Sequence, residues 1–453
     1  MTHPVEAAAK RTPNAILVQT PHTQLTAAQL QGAVAQCAGR LRQSGVGVGD
    51  TVAIHGLPSA DWLVALHAVG WLGAVAAPLP PKEPVAPYLS ALKPSMVLTD
   101  GHTPIAHPHQ LMLAGPGAAP CPPTATSKDQ PSLMLCTSGT TGRPRAVTLT
   151  WGQLDAAAQA SQEHLGHRAD DAWLGCLPLH HIGGLSVFLR TVRYGTCGIL
   201  HTHFDAERVG AALDSGEVTQ VSLVPAMLDA ILDTRPAQPF HSRLRFLLIG
   251  GAPMGPALME RCRALQLPVA LSWGMTETTA QVATRQPGDL RAAPDVGHPL
   301  PGLAVHSHDG FLAVTGPTAP GGSWTTSDRG TLDAQGRVIV WGRGTDLIIS
   351  GGENIDPREI ELVLEAHPSI AEAAVVGRPH SRWGERPVAF VTAQGDAQPT
   401  LQAIQAHVCA GLPSFKAPDD IFWVNALPRG PLGKLRRSAL VDQLQASQRI
   451  KED

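Results

Sequence analysis

Along this chain, short apolar runs with strand character alternate with Ala- and Leu-rich helical segments. That alternation is the signature of an α/β protein, in which strands are joined through helices packed on the sheet. Residues 16–18, 52–54, 133–136, 146–149 and 246–249 read as strands. Residues 26–42 read as an amphipathic helix capped by Thr26, with Leu30, Val34, Cys37, Ala38 and Leu41 on one face. The most apolar stretch, 62–77, is too short to span a membrane and reads as a buried helix running into a buried strand. Residues 103–130, rich in Pro, Ala, Gly and His, read as a long surface connection. At 453 residues the chain exceeds what one core usually supports, so at least two domains are expected. The boundary falls near Gly342-Arg343-Gly344-Thr345, giving domains 1–344 and 345–453. In the tail, Asp356 is a good N-cap, Pro357 suits the first helical position, and Glu359 and Glu361 are expected in the first turn, where the helix dipole favours acid.

The formal charge of −3 argues against a general nucleic-acid binder. Seven scattered cysteines with no CxxC pair fit a reducing compartment, and the first residues lack the apolar region of a signal peptide, so a cytoplasmic protein is expected. Oligomeric state is left open, a homo-oligomer included.

The sharpest local feature is Thr137-Ser138-Gly139-Thr140-Thr141-Gly142-Arg143-Pro144-Arg145, directly after a predicted strand. Its glycines permit tight turns, its hydroxyls and backbone N–H groups can surround phosphate oxygens, and Arg145 adds a cation. The Walker A spacing is absent, and an ordinary polar turn is the alternative. The segment resembles the phosphate loop of the adenylate-forming enzymes. Further segments match that family in order: Ser272-Trp273-Gly274-Met275-Thr276-Glu277-Thr278, Thr326-Ser327-Asp328, Gly342-Arg343 followed by 346–355, and Pro428 to Arg437. Taken singly, Asp328 and Glu277 could be solvated acids, Trp273 a core residue and Lys434 a loop lysine.

The resemblance implies a large N-terminal domain of sheets flanked by helices and a small mobile C-terminal α/β domain. It also implies ATP, Mg²⁺ and CoA as cofactor and co-substrates, with a small carboxylic acid as the other substrate. The loop Thr137–Gly142 with Arg145 would hold the phosphates. Glu277, with Thr140, would hold Mg²⁺, and Thr276 would contact the α-phosphate. Trp273 with Gly274 would face adenine, Gly251, Ala252 and Pro253 would offer backbone to the base, and Asp328 with Arg343 would hold the ribose. Lys434 would bridge the carboxylate and the α-phosphate. Thr345 aligns with the hinge, and Gly351, Gly352 and Glu353 would border the CoA tunnel, a Gly-rich turn being the alternative for these three. Two positions depart from the family pattern: Arg145 stands where Lys is usual and Trp273 where Tyr is usual.

For the acid, the stretch 178–195 is the most informative. His181 would gate or line the acyl pocket, and Gly184 would allow packing around a flat ring. Met275 and Gln281 are expected in the same pocket. The adjacent His180 and His181 lack the spacing of a helical metal site. Arg190 lies among apolar residues, and a buried Arg wants a carboxylate. This stretch, with residues 274–284, resembles the o-succinylbenzoate–CoA ligases of menaquinone biosynthesis, whose dicarboxylate substrate would give Arg190 a second carboxylate to hold. The alternative for Arg190 is a protein acid. The alternatives for the protein are another aryl- or medium-chain acyl-CoA ligase, or an adenylation enzyme loading a separate carrier protein.

Only seven of the 34 basic side chains are lysine. A chain that writes Arg so consistently keeps Lys434 where a compact ammonium on a flexible stem is needed, whereas Arg145 is an exchange the site tolerates. Lys434→Arg is expected to damage acyl-adenylate formation severely and Arg145→Lys only mildly. ATP–pyrophosphate exchange measures both, and the opposite order would overturn the ranking.

Overall fold

The computed structural model describes residues 1–138, 144–235, 237–350, 353–380, 382–430, 433 and 435–452; of Ser138, Arg343, Thr345, Asn354 and residues 445–452 it describes the backbone alone. Among the described residues the chain forms four sheets. In the largest, nine-stranded sheet the strands Ala172–Gly175, Cys197–Leu200, Gln220–Leu223, Phe246–Ile249 and Val269–Trp273 run parallel to one another, and Ala283–Thr284 joins Val269–Trp273 antiparallel. Gln220–Leu223 and Phe246–Ile249 are buried throughout; Phe246–Ile249 is apolar at every position, as a strand covered on both faces requires, while Gln220–Leu223 also buries Gln220 and Ser222. A six-stranded sheet carries Thr51–His55, Val75–Pro78 and Met96–Thr99 in parallel, and ends in the antiparallel pair Pro131–Ser138 and Pro144–Thr150.

Local chemistry sets the helices as expected. Thr26 caps Ala27–Gln43 in a reciprocal box: its hydroxyl accepts from Gln29 N at 3.3 Å, and its own N–H donates to Gln29 Oε1 at 2.9 Å. The predicted face from Leu30 to Leu41 is buried. The apolar stretch at 62–77 is the helix Ala60–Trp71 followed by the strand Val75–Pro78. The connection 103–130 is less superficial than its composition suggests. It contributes the strand Gln110–Met112 to the six-stranded sheet and buries Ile105, Leu113 and Cys121.

A four-stranded antiparallel sheet, Ala304–His308, Phe311–Thr315, Ser323–Leu332 and Val338–Arg343, follows the large sheet. The chain leaves it at Arg343, makes a 3₁₀ turn at Gly344–Asp346, and enters the C-terminal sheet at Ile348–Ser350. That sheet centres on the long antiparallel pair Ile370–His380 and Gly384–Ala393 and has its own apolar core, including Ile360, Leu364, Val375 and Val391. Asp356 caps the helix Pro357–Glu365 by accepting from Arg358 N, as expected. Glu361 corrects the reading as a first-turn acid. It is 2% exposed, accepts from Val375 N at 2.9 Å, and pairs with Arg358 and Arg437.

Arg285, directly after the strand Ala283–Thr284, is a second buried charge, 1% exposed. Its guanidinium donates to the carbonyls of Asp289, Arg291, Ala293 and Asp295 and to Asp295 Oδ2. It therefore ties the loop 286–295 to the strand that pairs with Val269–Trp273. Arg285→Leu would leave four carbonyls without their donor and take one of its partners from the buried Asp295, which keeps Arg291, and is expected to lower stability by about 3 kcal/mol or more. The shift in the urea unfolding midpoint measures it.

Candidate active site

Open parallel sheets bind ligands at the carboxyl ends of their strands, where loops emerge around a crevice. Three neighbouring strands deliver the expected residues there. Phe246–Ile249 ends at Gly250-Gly251, Val269–Trp273 continues into Gly274–Glu277, and Gln220–Leu223 ends at Val224. Gly251 has φ +80°, and a Cβ there would stand 3.5 Å from Val224 Cγ1. Ala252 is half-buried and Pro253 exposed on the same corner.

Trp273 joins this corner to the four-stranded sheet. Its indole Nε1 donates to Asp328 Oδ2 at 2.8 Å, and its ring, 8% exposed, packs with Val282, Ala283, Leu312 and Val314. Asp328 lies directly across the strand pair from Arg343. The backbone of three expected nucleotide residues is thus held in one frame, and Trp273 is a core residue that also bonds an expected site residue.

Gly274 is required sterically. A Cβ there would fall 1.5 Å from the carbonyl oxygen of Ala280. The loop closes that tightly because Thr279 and Ala280 adopt φ of +63° and +81°, the left-handed region that a β-branched residue rarely visits. Backbone bonds from Thr279 N to Thr276 O and from Ala280 N to Met275 O, 3.1 and 3.0 Å, hold the turn. Thr276 and Glu277 ride on it half-buried, and Met275 packs on the Trp273 cluster. Among the described residues Glu277 forms no ion pair.

Thr137 and Arg145 are opposite each other on the pair Pro131–Ser138 and Pro144–Thr150, and the Thr137 hydroxyl donates to Arg145 O at 3.4 Å. Gly139, Thr140, Thr141 and Gly142 lie outside the described residues, as do the side chains of Ser138, Arg343 and Thr345. So do Gly351, Gly352 and Lys434. Glu353 is exposed and pairs in register with Ser350.

His181 is the N-cap residue of Ile182–Tyr194, with its ring 4.2 Å from that of His180 and tilted 47° to it. Burial holds both imidazoles neutral, His180 at about 3 and His181 below its ordinary value despite the opposing charge of Glu83. Gly184 corrects the expectation of packing around a flat ring: the carbonyls of Pro178 and Leu177 stand 2.5 and 2.6 Å from where its Cβ would be, so the loop backbone that precedes the helix fills the space. Gln281 is also a correction. It is 3% exposed, accepts from the Ser161 hydroxyl and donates to Thr284 Oγ1, so it braces the core beneath the loop.

Arg190 is 2% exposed, and no carboxylate among the described residues pairs with it. Its guanidinium lies 5.7 Å from the Trp173 ring, and its Nη2 has no hydrogen-bond partner. It lines a cavity of about 10 Å³ with Ser186 and Thr279, and the Thr279 hydroxyl is unpartnered as well. That volume suits about one water. The sequence offered no sign of Thr279, because its signal is a backbone conformation.

The C-terminal domain reaches this site. A Cβ on Gly433 would lie 3.0 Å from Ala226 Cβ and 3.7 Å from Val224 Cγ2, the residue that also flanks Gly251. Arg437 pairs with Glu361 and, at 3.8 Å, with Asp346.

Parallel strands with a glycine corner, a Trp–Asp bridge and a docked C-terminal domain define the architecture of an adenylate-forming enzyme. The AMP-binding enzyme family matches residues 5–321 and the AMP-binding enzyme C-terminal domain matches 359–434; the chain belongs to this family. It is 33% identical to a 2-succinylbenzoate–CoA ligase of Bacillus cereus, covering 95% of this chain and 96% of that one. Among solved structures, o-succinylbenzoate CoA synthetase (MenE) from Bacillus subtilis in complex with the acyl-adenylate OSB-AMP aligns with a TM-score of 0.87, at 31% identity over 97% of this chain and 98% of that one. A double mutant of that synthetase bound to the product analogue OSB-NCoA aligns at 0.74, at 31% identity over 98% of each chain.

Trp273→Phe keeps the ring and removes the N–H that holds Asp328. A hydrogen bond to a charged group contributes about 1.5–3 kcal/mol, so KM for ATP is expected to rise about tenfold or more, with the melting temperature changed little. An unchanged KM for ATP in steady-state kinetics would separate Trp273 from the nucleotide site.

Proposed function

We propose that this chain is an ATP-dependent acid–CoA ligase that converts 2-succinylbenzoate to its CoA thioester. In the first half-reaction a carboxylate oxygen of the acid attacks the α-phosphorus of ATP, and the bond to pyrophosphate breaks. In the second, the CoA thiolate attacks the acyl carbon and AMP leaves. The observation that carries the substrate is Arg190, a buried guanidinium with no protein carboxylate, in a chain similar over nearly its whole length to ligases of that name.

The site residues take these roles. Thr137, Ser138, the segment Gly139–Gly142 and Arg145 embrace the phosphates, and Thr276 positions the α-phosphate. Glu277 with Thr140 would hold Mg²⁺, which supplies neutralisation of phosphate charge. Asp328, steadied by Trp273, accepts from the ribose hydroxyls, with Arg343 beside it and the Gly251–Pro253 backbone along the base. His181 walls the acid pocket, kept uncharged by burial. Arg190 and Thr279 meet the second carboxylate through a water or by opening of the small cavity between them. Lys434 bridges the carboxylate and α-phosphate. The contact of Gly433 with Val224 and Ala226 puts its segment beside the nucleotide corner, an arrangement suited to the first half-reaction. The closer likeness to the acyl-adenylate complex than to the product-analogue complex is in keeping with it. The second half-reaction then requires domain 345–453 to turn about Thr345, bringing Gly351, Gly352 and Glu353 to the CoA thiol's path. Substrates of this kind place the enzyme in the cytoplasm, and among the described residues no helix is long and apolar enough to cross a membrane.

The test is ATP–pyrophosphate exchange and CoA-thioester formation across a panel of carboxylic acids. 2-Succinylbenzoate is expected to support both. Arg190→Ala should raise its KM roughly 30-fold, as for loss of a charge-assisted bond, with little effect on benzoate. Equal effects on the two acids would remove Arg190 from substrate recognition, and no exchange with 2-succinylbenzoate would overturn the substrate itself.

A further inference from the structure

A lysine ammonium rides on a flexible four-carbon stem, so its reach is only as definite as the backbone that carries it. Lys434 lies outside the described residues, but both of its neighbours are held. Leu435 forms an isolated antiparallel bridge with Arg429, and Arg436 N donates to Pro428 O at 2.8 Å. Gly433 N donates to Gly430 O at 2.9 Å, and Gly433 has φ +70°, where glycine is favoured. Gly433 also abuts the helix Pro225–Asp233 of the N-terminal domain: a Cβ there would stand 3.0 Å from Ala226 Cβ.

The Gly433 carbonyl is gripped by a side chain. Arg429 Nη1 donates to Gly433 O at 2.8 Å, and Nη2 of the same guanidinium donates to Glu372 Oε1 at 2.5 Å. Glu372 sits on the strand Ile370–His380, and its N–H donates to Thr392 Oγ1 at 3.1 Å across the central pair of the C-terminal sheet. Two donors of one rigid fork thus meet a carbonyl and a carboxylate, and the carboxylate fixes the plane in which the carbonyl is held. The residue before Lys434 is tied in this way to the sheet of its own domain. The arrangement also lies close to the N-terminal domain. The carboxyl of Asp229, on the helix Pro225–Asp233, is pushed up by burial first and by the charges of Asp233 and Glu372, against the pull of Arg261. With the Arg429 and Glu372 side chains 34% and 46% exposed, the ion pair adds little to folding stability, so its consequence lies in where it holds the Gly433 carbonyl.

We propose that Arg429, braced by Glu372, is a positioning residue for acyl-adenylate formation: it fixes the backbone at Gly433 so that Lys434 extends toward the nucleotide corner. The proposal rests on the reading of Lys434 as the group that bridges the carboxylate and the α-phosphate. The effect belongs to the first half-reaction, because the second follows the turn of the C-terminal domain.

The test measures the two half-reactions separately in the full chain. The first is ATP–pyrophosphate exchange with the carboxylic acid that the unmodified enzyme exchanges fastest; the second is single-turnover thioester formation from the supplied acyl-adenylate and CoA. Arg429→Ala is expected to lower the maximal exchange rate about tenfold or more, as for loss of a charge-assisted bond, with KM for ATP within roughly threefold and thioester formation within roughly twofold. Glu372→Gln should give a smaller loss in the same direction. In a Lys434→Ala background, Arg429→Ala should lower exchange by less than about twofold further, since its effect passes through the lysine. Undiminished exchange in Arg429→Ala, equal losses in both half-reactions, or full additivity with Lys434→Ala would overturn the positioning role. Undiminished exchange in Lys434→Ala would instead overturn the role of the lysine itself, and this one with it.

Discussion

The Trp273 indole on the Asp328 carboxylate is the contact on which the nucleotide site depends. It is one hydrogen bond, but it spans two sheets: Trp273 closes a strand of the parallel sheet, and Asp328 sits mid-strand in the antiparallel one. Burial of the ring against Val282, Leu312 and Val314 keeps the donor in place at little entropic cost, since the side chain is already immobilised by packing. The carboxylate is held before any ribose arrives, which is what preorganisation requires.

The turn that follows Trp273 extends the same constraint toward the acid. Its left-handed Thr279 and Ala280 would relax if the surrounding structure allowed it. Arg285 prevents this by clamping the returning strand, and the buried chain Ser161–Gln281–Thr284 braces it from below. The strained turn carries Thr276 and Glu277 at one end and the orphaned Thr279 hydroxyl at the other. In the proposed roles, phosphate-side and acid-side groups would be positioned by one loop, and the distance between the two substrates would be set by backbone geometry rather than by flexible side chains.

Much of this was legible in the sequence because it rests on residue type at fixed spacing. The alternating apolar runs define the parallel sheet, Thr26 and Asp356 mark their helix starts, and the ordered segments pick out Trp273 at a strand end, Glu277 in the turn after it and Asp328 on the neighbouring antiparallel sheet. What escaped depends on three-dimensional packing. Gly184 looked like room for a ring and is filled by the carbonyls of 177 and 178. Gln281 looked like a pocket residue and is spent on the core. Thr279 was invisible because φ is not written in residue type. Residues 103–130 looked superficial because composition does not reveal that Leu113 and Cys121 turn inward.

Glu361 shows most directly how such a misreading matters for motion. As a helix-dipole acid it would be a minor surface feature. As a buried carboxylate it is held by Arg358 of its own helix, by Val375 N and by Arg437, and giving up the Arg437 contact would cost part of that compensation. Arg437 lies three residues beyond Lys434, and the helix Pro357–Glu365 that bears Glu361 belongs to the C-terminal core. The segment after the lysine is thereby fastened to that core and travels with it. Any turn of the small domain must then be absorbed where the chain runs between sheets, at 344–347, and the Asp346–Arg437 pair at 3.8 Å lies beside that passage. A surface-type ion pair of this length contributes little and re-forms readily, so it can accompany the rotation, whereas the buried Glu361 pair ensures that the domain turns as one body.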